Sequence, residues 1–198
     1  MTRQFNLFGG ERGQSAAEQK FPAGFGYRAE LITRAEESAL IARVRELPFR
    51  EFEFHGYTGK RRTVSFGWRY DFSGRRLEKA DDIPDYLLPL RAAAASFAGL
   101  EPEEFRHALV TEYAPGAGIG WHRDKAVFGE VVGVSLLSPC VFRMRRALGG
   151  RKWERVNLCI EPRSAYLLSG PARTEWEHSI PQADALRYSI TFRNLRAA

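Results

Sequence analysis

Residues 121–124 read Trp-His-Arg-Asp. His122 and Asp124 stand two apart, so on a β-strand both side chains point to one face. They can then offer an imidazole and a carboxylate to the same ion. A second histidine, His178, follows in Trp176-Glu-His-Ser-Ile180. Two histidines and one carboxylate make the facial triad of non-haem iron(II) oxygenases, which leaves positions open for a co-substrate and oxygen. Zinc sites more often use thiolates or three histidines. The chain has four histidines, His55, His107, His122 and His178, so the choice of partner is narrow.

A second chemical feature lies near the C-terminus, in Leu186-Arg-Tyr-Ser-Ile-Thr-Phe-Arg193. Arg187 and Arg193 are an even number of residues apart and share a strand face with Ser189 and Thr191. Tyr188, Ile190 and Phe192 fill the other face. Six strand residues span roughly 20 Å, and two long arginine arms leaning together across that span can grip a short dicarboxylate at both ends. Arginine suits the task because its planar fork binds carboxylate bidentately. An edge strand with two solvated arginines is the competing arrangement. Tyr113, just upstream of the His-x-Asp loop, can donate its hydroxyl to the same acid.

These side chains need a rigid frame. Residues 33–47 have the period of an amphipathic helix, with Leu40, Ile41, Val44 and Leu47 on one stripe, a Thr33/Glu36 capping box and Pro48 as the stop. A second helix is expected over 87–98, ending at Gly99. From residue 106 onward short β-rich runs alternate with turn-rich pieces, among them 106–113, 174–180 and 186–193. The pattern is that of a β-sandwich or barrel, and a double-sheet jelly roll buttressed by the two helices fits it. The fold class is therefore mainly β with flanking helices. Residues 1–20 are polar and read as a flexible arm, and 21–198 as a single domain with lid hairpins over about 50–75 and the jelly roll over about 106–196.

The 198 residues carry a formal net charge of +6, the balance expected of a nucleic-acid binder. The sequence has no apolar run near the ~20 residues that span a bilayer and no signal-peptide core at its start, so a cytoplasmic location, no membrane partner and a monomer are expected. Cys140 and Cys159 are too few for a disulfide framework and read as buried thiols.

Taken together, Tyr113-Ala-Pro-Gly-Ala-Gly-Ile-Gly-Trp-His-Arg-Asp124, Glu177-His-Ser-Ile-Pro181 and Arg187-Tyr-Ser-Ile-Thr-Phe-Arg193 resemble the AlkB family of 2-oxoglutarate dioxygenases, over roughly residues 25–195. The stretch Ser65-Phe-Gly-Trp-Arg-Tyr-Asp-Phe-Ser-Gly74 is similar to the nucleotide-recognition lid of its repair members. The resemblance implies a double-stranded β-helix, iron(II) held by His122, Asp124 and His178, and 2-oxoglutarate and O2 as co-substrates. It implies that Arg187, helped by Tyr113, takes the distal carboxylate of 2-oxoglutarate and that Arg193 serves the end that chelates iron. Ser189 and Thr111 stand with them as candidate co-substrate contacts. Thr111 occupies a place where several members have asparagine, and Ala126 one where some have an acid beside the base.

The chemistry so implied is oxidative dealkylation: an alkyl carbon on a base nitrogen is hydroxylated, and the hemiaminal collapses to an aldehyde and the repaired base. The base must be flipped from a duplex or presented on a single strand of DNA or RNA. Trp68, Tyr70 and Phe72 are the candidate base contacts, within an aromatic set that includes Phe52, Phe54, His55, Tyr57 and Phe66. The even spacing of Phe52, Phe54, Phe66, Trp68, Tyr70 and Phe72 suggests one alternating hairpin. Lys60, Arg61 and Arg62 are expected at its turn as phosphate contacts. Arg143, Arg145, Arg146, Arg151 and Lys152 flank a second turn at Gly149-Gly150. Two other readings stay open: an oxygenase acting on tRNA bases or protein, and a non-catalytic nucleic-acid-binding β-fold.

Overall fold

Two antiparallel sheets carry the fold, which a computed structural model describes for residues 20–54, 57–71, 74 and 76–196, with backbone only at 52–54 and 57–59. The expected N-terminal arm, His55 and Phe72, and the side chains of Phe52, Phe54 and Tyr57, lie outside the described residues.

The larger sheet has seven strands. In spatial order they are β1 (Phe25–Arg28), β11 (Ala165–Leu168), β8 (Phe128–Leu136), β13 (Arg187–Leu195), β6 (Phe105–Tyr113), β3 (Tyr57–Phe66) and β2 (Arg50–Phe54). The smaller has four: β10 (Lys152–Ile160), β9 (Cys140–Gly149), β12 (Glu177–Ile180) and β7 (Ile119–His122). A separate two-stranded ribbon pairs β4 (Trp68–Asp71) with β5 (Arg76–Lys79).

Residue parity explains how the large sheet is used. Tyr188, Ile190 and Phe192 of β13, Ala108 and Val110 of β6, and Val132, Val134 and Leu136 of β8 are buried in one apolar cluster with Leu40, Ile41 and Val44 of α1 (Arg34–Val44) and Leu90, Ala94 and Ala95 of α2 (Leu88–Ala98). The opposite face of the same strands turns toward the small sheet. There Tyr113, Val131, Tyr166 and Leu168 pack against Phe142, Met144, Val156, Ile160 and Ile180. A one-residue slip in register would exchange the two faces, so the helix-side core fixes which residues look into the sandwich.

The α1 cap and the α2 stop are as their sequences predict, but α1 ends at Val44, short of the expected 47. Thr33 and Glu36 form the reciprocal capping box of α1, and Gly99 closes α2 in the left-handed conformation at φ 70°. Three expectations need correction. Residues 174–180 are not one strand: α3 (Gly170–Thr174) occupies the first part and β12 starts only at Glu177. Cys140 is buried but Cys159 is exposed, because it alternates outward on β10 next to buried Ile160. The aromatic run 66–70 is not one hairpin arm either. Gly67, at φ +73°, breaks β3 from β4, and a Cβ there would collide with the Arg106 carbonyl oxygen. Phe66 goes to the core, while Trp68 and Tyr70 go to the ribbon.

Candidate active site

Strands β7 and β12 are neighbours, and their register sets His122 directly opposite His178. The ring centroids lie 4.2 Å apart. Nε2 of His178 is 3.7 Å from Oδ2 of Asp124, whose side chain is only 7% exposed. The His-x-Asp spacing and the distant histidine are thus brought together as the sequence suggests. Arg173 of α3 holds the segment after Asp124, donating to the carbonyls of Lys125, Phe128 and Gly129 at 2.6, 2.8 and 2.9 Å.

Protonation suits a cation. Nδ1 of His122 lies 2.9 Å from the Gly120 carbonyl. A carbonyl only accepts, so Nδ1 carries the proton and Nε2 keeps its lone pair. Burial pushes His178 down to about 3, leaving the ring neutral near neutral pH, with His122 acting the same way. Burial works to raise Asp124, but Arg193 and the neighbouring histidines overcome it and hold the carboxyl well below its usual range. Two neutral imidazoles and one carboxylate are the protonation states that metal ligation requires.

Among the described residues these groups are gathered but do not close into a tight cage of three. Oδ2 of Asp124 is buried and has no hydrogen-bond partner. A buried charged oxygen without a partner is costly, and a cation between it and the two imidazoles would satisfy it. The donor set therefore fits iron(II) on the chemistry of its atoms.

The two arginines of β13 point inward together, yet their surroundings differ. Arg193 pairs in register with His107, and Arg187 with Tyr113. Every nitrogen of the Arg193 guanidinium is engaged: Nε and Nη2 meet Asp124 Oδ1 at 2.8 and 2.7 Å, and Nη1 lies 3.2 Å from Nδ1 of His107. Arg187 has no exposed surface. Its Nε donates to Ser135 Oγ at 3.1 Å and its guanidinium lies 5.0 Å from the Tyr113 ring centre, but Nη1 and Nη2 are buried without partners. Two parallel unpartnered donors on a buried cation are the complement of a carboxylate. Thr111 and Ser189 are buried and opposite each other in the register, on the face shared by Tyr113 and Arg187.

The lid and basic residues are placed less simply. Trp68 and Tyr70 are half-buried on β4, and Lys125 Nζ stands 5.2 Å from the Tyr70 ring centre, which links the ribbon to the His-x-Asp loop. Lys60, Arg61 and Arg62 are not at a turn. They lie within β3, where Glu51 pairs with Arg62 and the next residue, Phe52, with Gly59. Lys60 and Arg61 therefore form a bulge, which sequence alternation cannot foresee. Arg62 is tied to Glu112 at 2.7 Å, and Arg61 lies where burial lowers its pKa and Tyr113 and Arg193 both act on it. The turn at Gly149-Gly150 is as expected, with φ of 98° and 57°. Several of its arginines are paired, however: Arg145 with Glu177, and Arg146 with Glu154 and Glu175.

The sequence profile described as "2OG-Fe(II) oxygenase superfamily" matches residues 27–193. The chain belongs to this superfamily. Among curated relatives of this oxygenase, an Arabidopsis thaliana protein named "Alkylated DNA repair protein ALKBH8 homolog" is 26% identical over 77% of the chain and 49% of its own length. "DNA oxidative demethylase ALKBH2" of Bos taurus is 30% identical over 65% and 50%. The oxygenase thus spans about half the length of these two, and 85% of an uncharacterized Acanthamoeba polyphaga mimivirus protein, L905, that is 26% identical. The curated relatives it resembles thus include AlkB-type proteins. Solved structures share its fold: OsALKBH1 at TM-score 0.68 and 17% identity, covering 89% of this chain and 99% of that one, and a Pseudomonas putida prolyl-4-hydroxylase at 0.59 and 15%, covering 87% and 93%. Both support the double-stranded β-helix. The family implies iron(II) and 2-oxoglutarate. No helix among the described residues is long and apolar enough to cross a membrane.

Sequence reasoning assigned no role to His107, Ser135 or Arg173. His107 had a usable signal, since it is in phase with Tyr113 and Thr111 on β6. Ser135 and Arg173 had none, because their contacts depend on strand order and on α3.

Proposed function

We propose that the oxygenase removes alkyl groups oxidatively from bases of DNA or RNA. The observation that carries this reading is the pair of unpartnered Arg187 nitrogens buried in the same sandwich as the orphaned Asp124 oxygen. They supply an anion site and a cation site along the inward face of β13, where Arg187 lies and Arg193 holds Asp124. The AlkB-type relatives and the aromatic ribbon beside Lys125 support a nucleobase as the target. Residues 21–198 are taken as the catalytic domain.

His122, Asp124 and His178 would hold iron(II). With 2-oxoglutarate and oxygen bound, that centre supplies the oxidising power that hydroxylates the alkyl carbon. The rest is work for this chain. Arg187 receives a carboxylate of 2-oxoglutarate through Nη1 and Nη2, with Tyr113 as its neighbour and Thr111 and Ser189 lining the approach. Arg193 orients Asp124 by holding Oδ1 and leaving Oδ2 to the metal. Its engaged nitrogens favour this role over a direct grip on the co-substrate. Gly120 fixes the tautomer of His122. Trp68 and Tyr70 contact the extruded base, for which stacking is worth about 1–3 kcal/mol, and Phe72 is proposed to join them. Arg61, inside the site, is proposed to meet the substrate, as are Lys60 and Arg62 at its rim.

The test is succinate formation from 2-oxoglutarate with iron(II), ascorbate and a methylated single-stranded oligonucleotide, whose mass is followed. Loss of one methyl mass, absent in His122→Ala and Arg187→Ala, is the expected result. Succinate without mass loss would move the search to tRNA or protein substrates. No succinate from folded, iron-loaded protein would leave a binding module.

A further inference from the structure

One tyrosine inside the sandwich has no role among the iron and co-substrate contacts. Alternation on β11 sends Ala165 and Leu167 to the helix-side core, and Tyr166 and Leu168 between the two sheets. Tyr166 pairs in register with Gly133 of β8, and Gly133 with Thr191 of β13. Because Gly133 has no side chain, the phenol lies across β8. A Cβ at that position would overlap Cζ, Cε1 and the hydroxyl oxygen, which are the far end of the ring.

That end of the ring stands between the two sites. Along β8, Gly133 is one inward step from Ser135, which accepts from Arg187 Nε at 3.1 Å. Along β13, Thr191 is one inward step from Arg193, which holds Asp124. The Phe142 ring links Tyr166 to the metal side, its centroid 4.5 Å from that of Tyr166 and 5.3 Å from that of His178. Burial pushes the Tyr166 hydroxyl well above the ordinary tyrosine range, Asp124 and Tyr113 push the same way, and Arg187 and Arg193 oppose them. The phenol therefore keeps its proton and remains a donor. Among the described residues that donor makes no hydrogen bond, whereas the hydroxyls of Tyr27 and Tyr188 each have a partner. A buried tyrosine hydroxyl usually finds one.

The co-substrate has a matching need. Arg193 spends its guanidinium on Asp124 and His107, so the chelating end of 2-oxoglutarate lacks the donor that the sequence assigned to it. The middle of the molecule is two methylenes, which accept nothing, and the far carboxylate meets Arg187. We propose that the Tyr166 hydroxyl donates a hydrogen bond to a carboxylate oxygen at the chelating end of 2-oxoglutarate. This deepens the co-substrate reading, on which it rests: Arg187 grips one end of the acid, and Tyr166, seated over Gly133, orients the other beside the metal ligands.

The experiment is titration calorimetry of 2-oxoglutarate, and separately of oxalate, into the full chain loaded with manganese(II). Oxalate carries a chelating end and no far carboxylate. Wild type is compared with Tyr166→Phe, which keeps the ring and removes only the hydroxyl. Circular dichroism checks the fold, and Tyr166→Leu serves if Tyr166→Phe is not folded. The expected result is an affinity at least tenfold weaker in the variant for both acids, the size of a lost hydrogen bond to a charged group, with manganese(II) affinity in the absence of either acid equal to wild type. A parallel loss of manganese(II) affinity overturns the proposal, because the ring would then only pack beside the metal ligands. So does a loss with 2-oxoglutarate but not with oxalate, which would put the contact at the far carboxylate. Undiminished binding of both acids by the variant overturns the Tyr166 contact alone, whereas failure of wild type to bind 2-oxoglutarate overturns the co-substrate reading and the contact with it.

Discussion

Two nitrogens of Arg193 converge on a single oxygen of Asp124, at 2.8 and 2.7 Å, and leave the other oxygen without a partner. The arginine therefore selects which oxygen of the carboxylate faces the two histidines. Arg193→Lys keeps the charge but loses the fork. It should weaken metal binding by about 10–100-fold, the usual effect of losing a group that orients a ligand, as read by manganese(II) titration. Arg193→Met leaves a buried carboxylate uncompensated and should cost about 3–5 kcal/mol in urea unfolding of the metal-free protein. An unaltered unfolding midpoint would refute the ion pair.

Arg187 presents the opposite case. Its charge is fully buried and two of its nitrogens are unpartnered. Arg187→Met should leave the ligand-free protein as stable as wild type or more so, because it removes an unsatisfied cation. The thermal stabilisation given by saturating 2-oxoglutarate, about 2.7 kcal/mol at a hundred times Kd, should vanish. Retained stabilisation in the variant would show that the acid binds elsewhere.

Acid should unfold the metal-free protein early. Burial lowers His107 well below its ordinary value, His178 to about 3, and His122 as well. Below about pH 6.5 the unfolded chain takes up protons that the buried rings refuse. Stability is thus fully present above pH 6.5 and falls as pH drops toward 3, by up to about 1.4 kcal/mol per unit for each ring. Asp124, held ionised in the folded state, adds to the loss at the acid end. Urea midpoints at pH 7.5 and 5.0 measure the slope, and His107→Gln should make it shallower.

The sandwich interior should reject one methyl group. Gly133 of β8 pairs in register with Tyr166 of the neighbouring β11, and a Cβ there would overlap the phenol ring. The ring is buried and cannot swing out. Gly133→Ala should destabilise by about 1–3 kcal/mol, seen as a lower Tm.

Loss of the lid aromatic should separate coupled from uncoupled chemistry. Tyr70→Ala should reduce demethylation of an oligonucleotide at least tenfold while 2-oxoglutarate oxidation without substrate persists. Equal loss of both would place Tyr70 in the iron site instead of the base pocket.

Much of this architecture could be read from residue spacing, and the reason is parity. On β13 the alternation of Arg187, Ser189, Thr191 and Arg193 with Tyr188, Ile190 and Phe192 states which face is core, and the register carries that statement to His107, Thr111 and Tyr113 on β6. His122 and Asp124 are legible for the same local reason. What parity cannot show is a break in itself. The Lys60–Arg61 bulge and the Gly67 turn each reset the count, so the expected hairpin over 52–72 came out as two unrelated pieces. Contacts that depend on sheet order, such as Arg193 with Asp124 and Arg187 with Ser135, are likewise absent from any local pattern.

Gly67 has one more consequence. Its amide donates to the Asp81 carbonyl at 2.6 Å, and its own carbonyl accepts from Ala80 at 3.1 Å. The chain therefore leaves β3 at Gly67 and comes back to that same point at Ala80 and Asp81 before running on to α2, with the β4–β5 ribbon between. Such a segment is an exchangeable cassette. Mutations within it can accumulate, or a whole replacement be accepted, without re-registering a strand of the sandwich. A lineage carrying this fold can thus diverge in what it recognises while inheriting its oxidising centre unchanged.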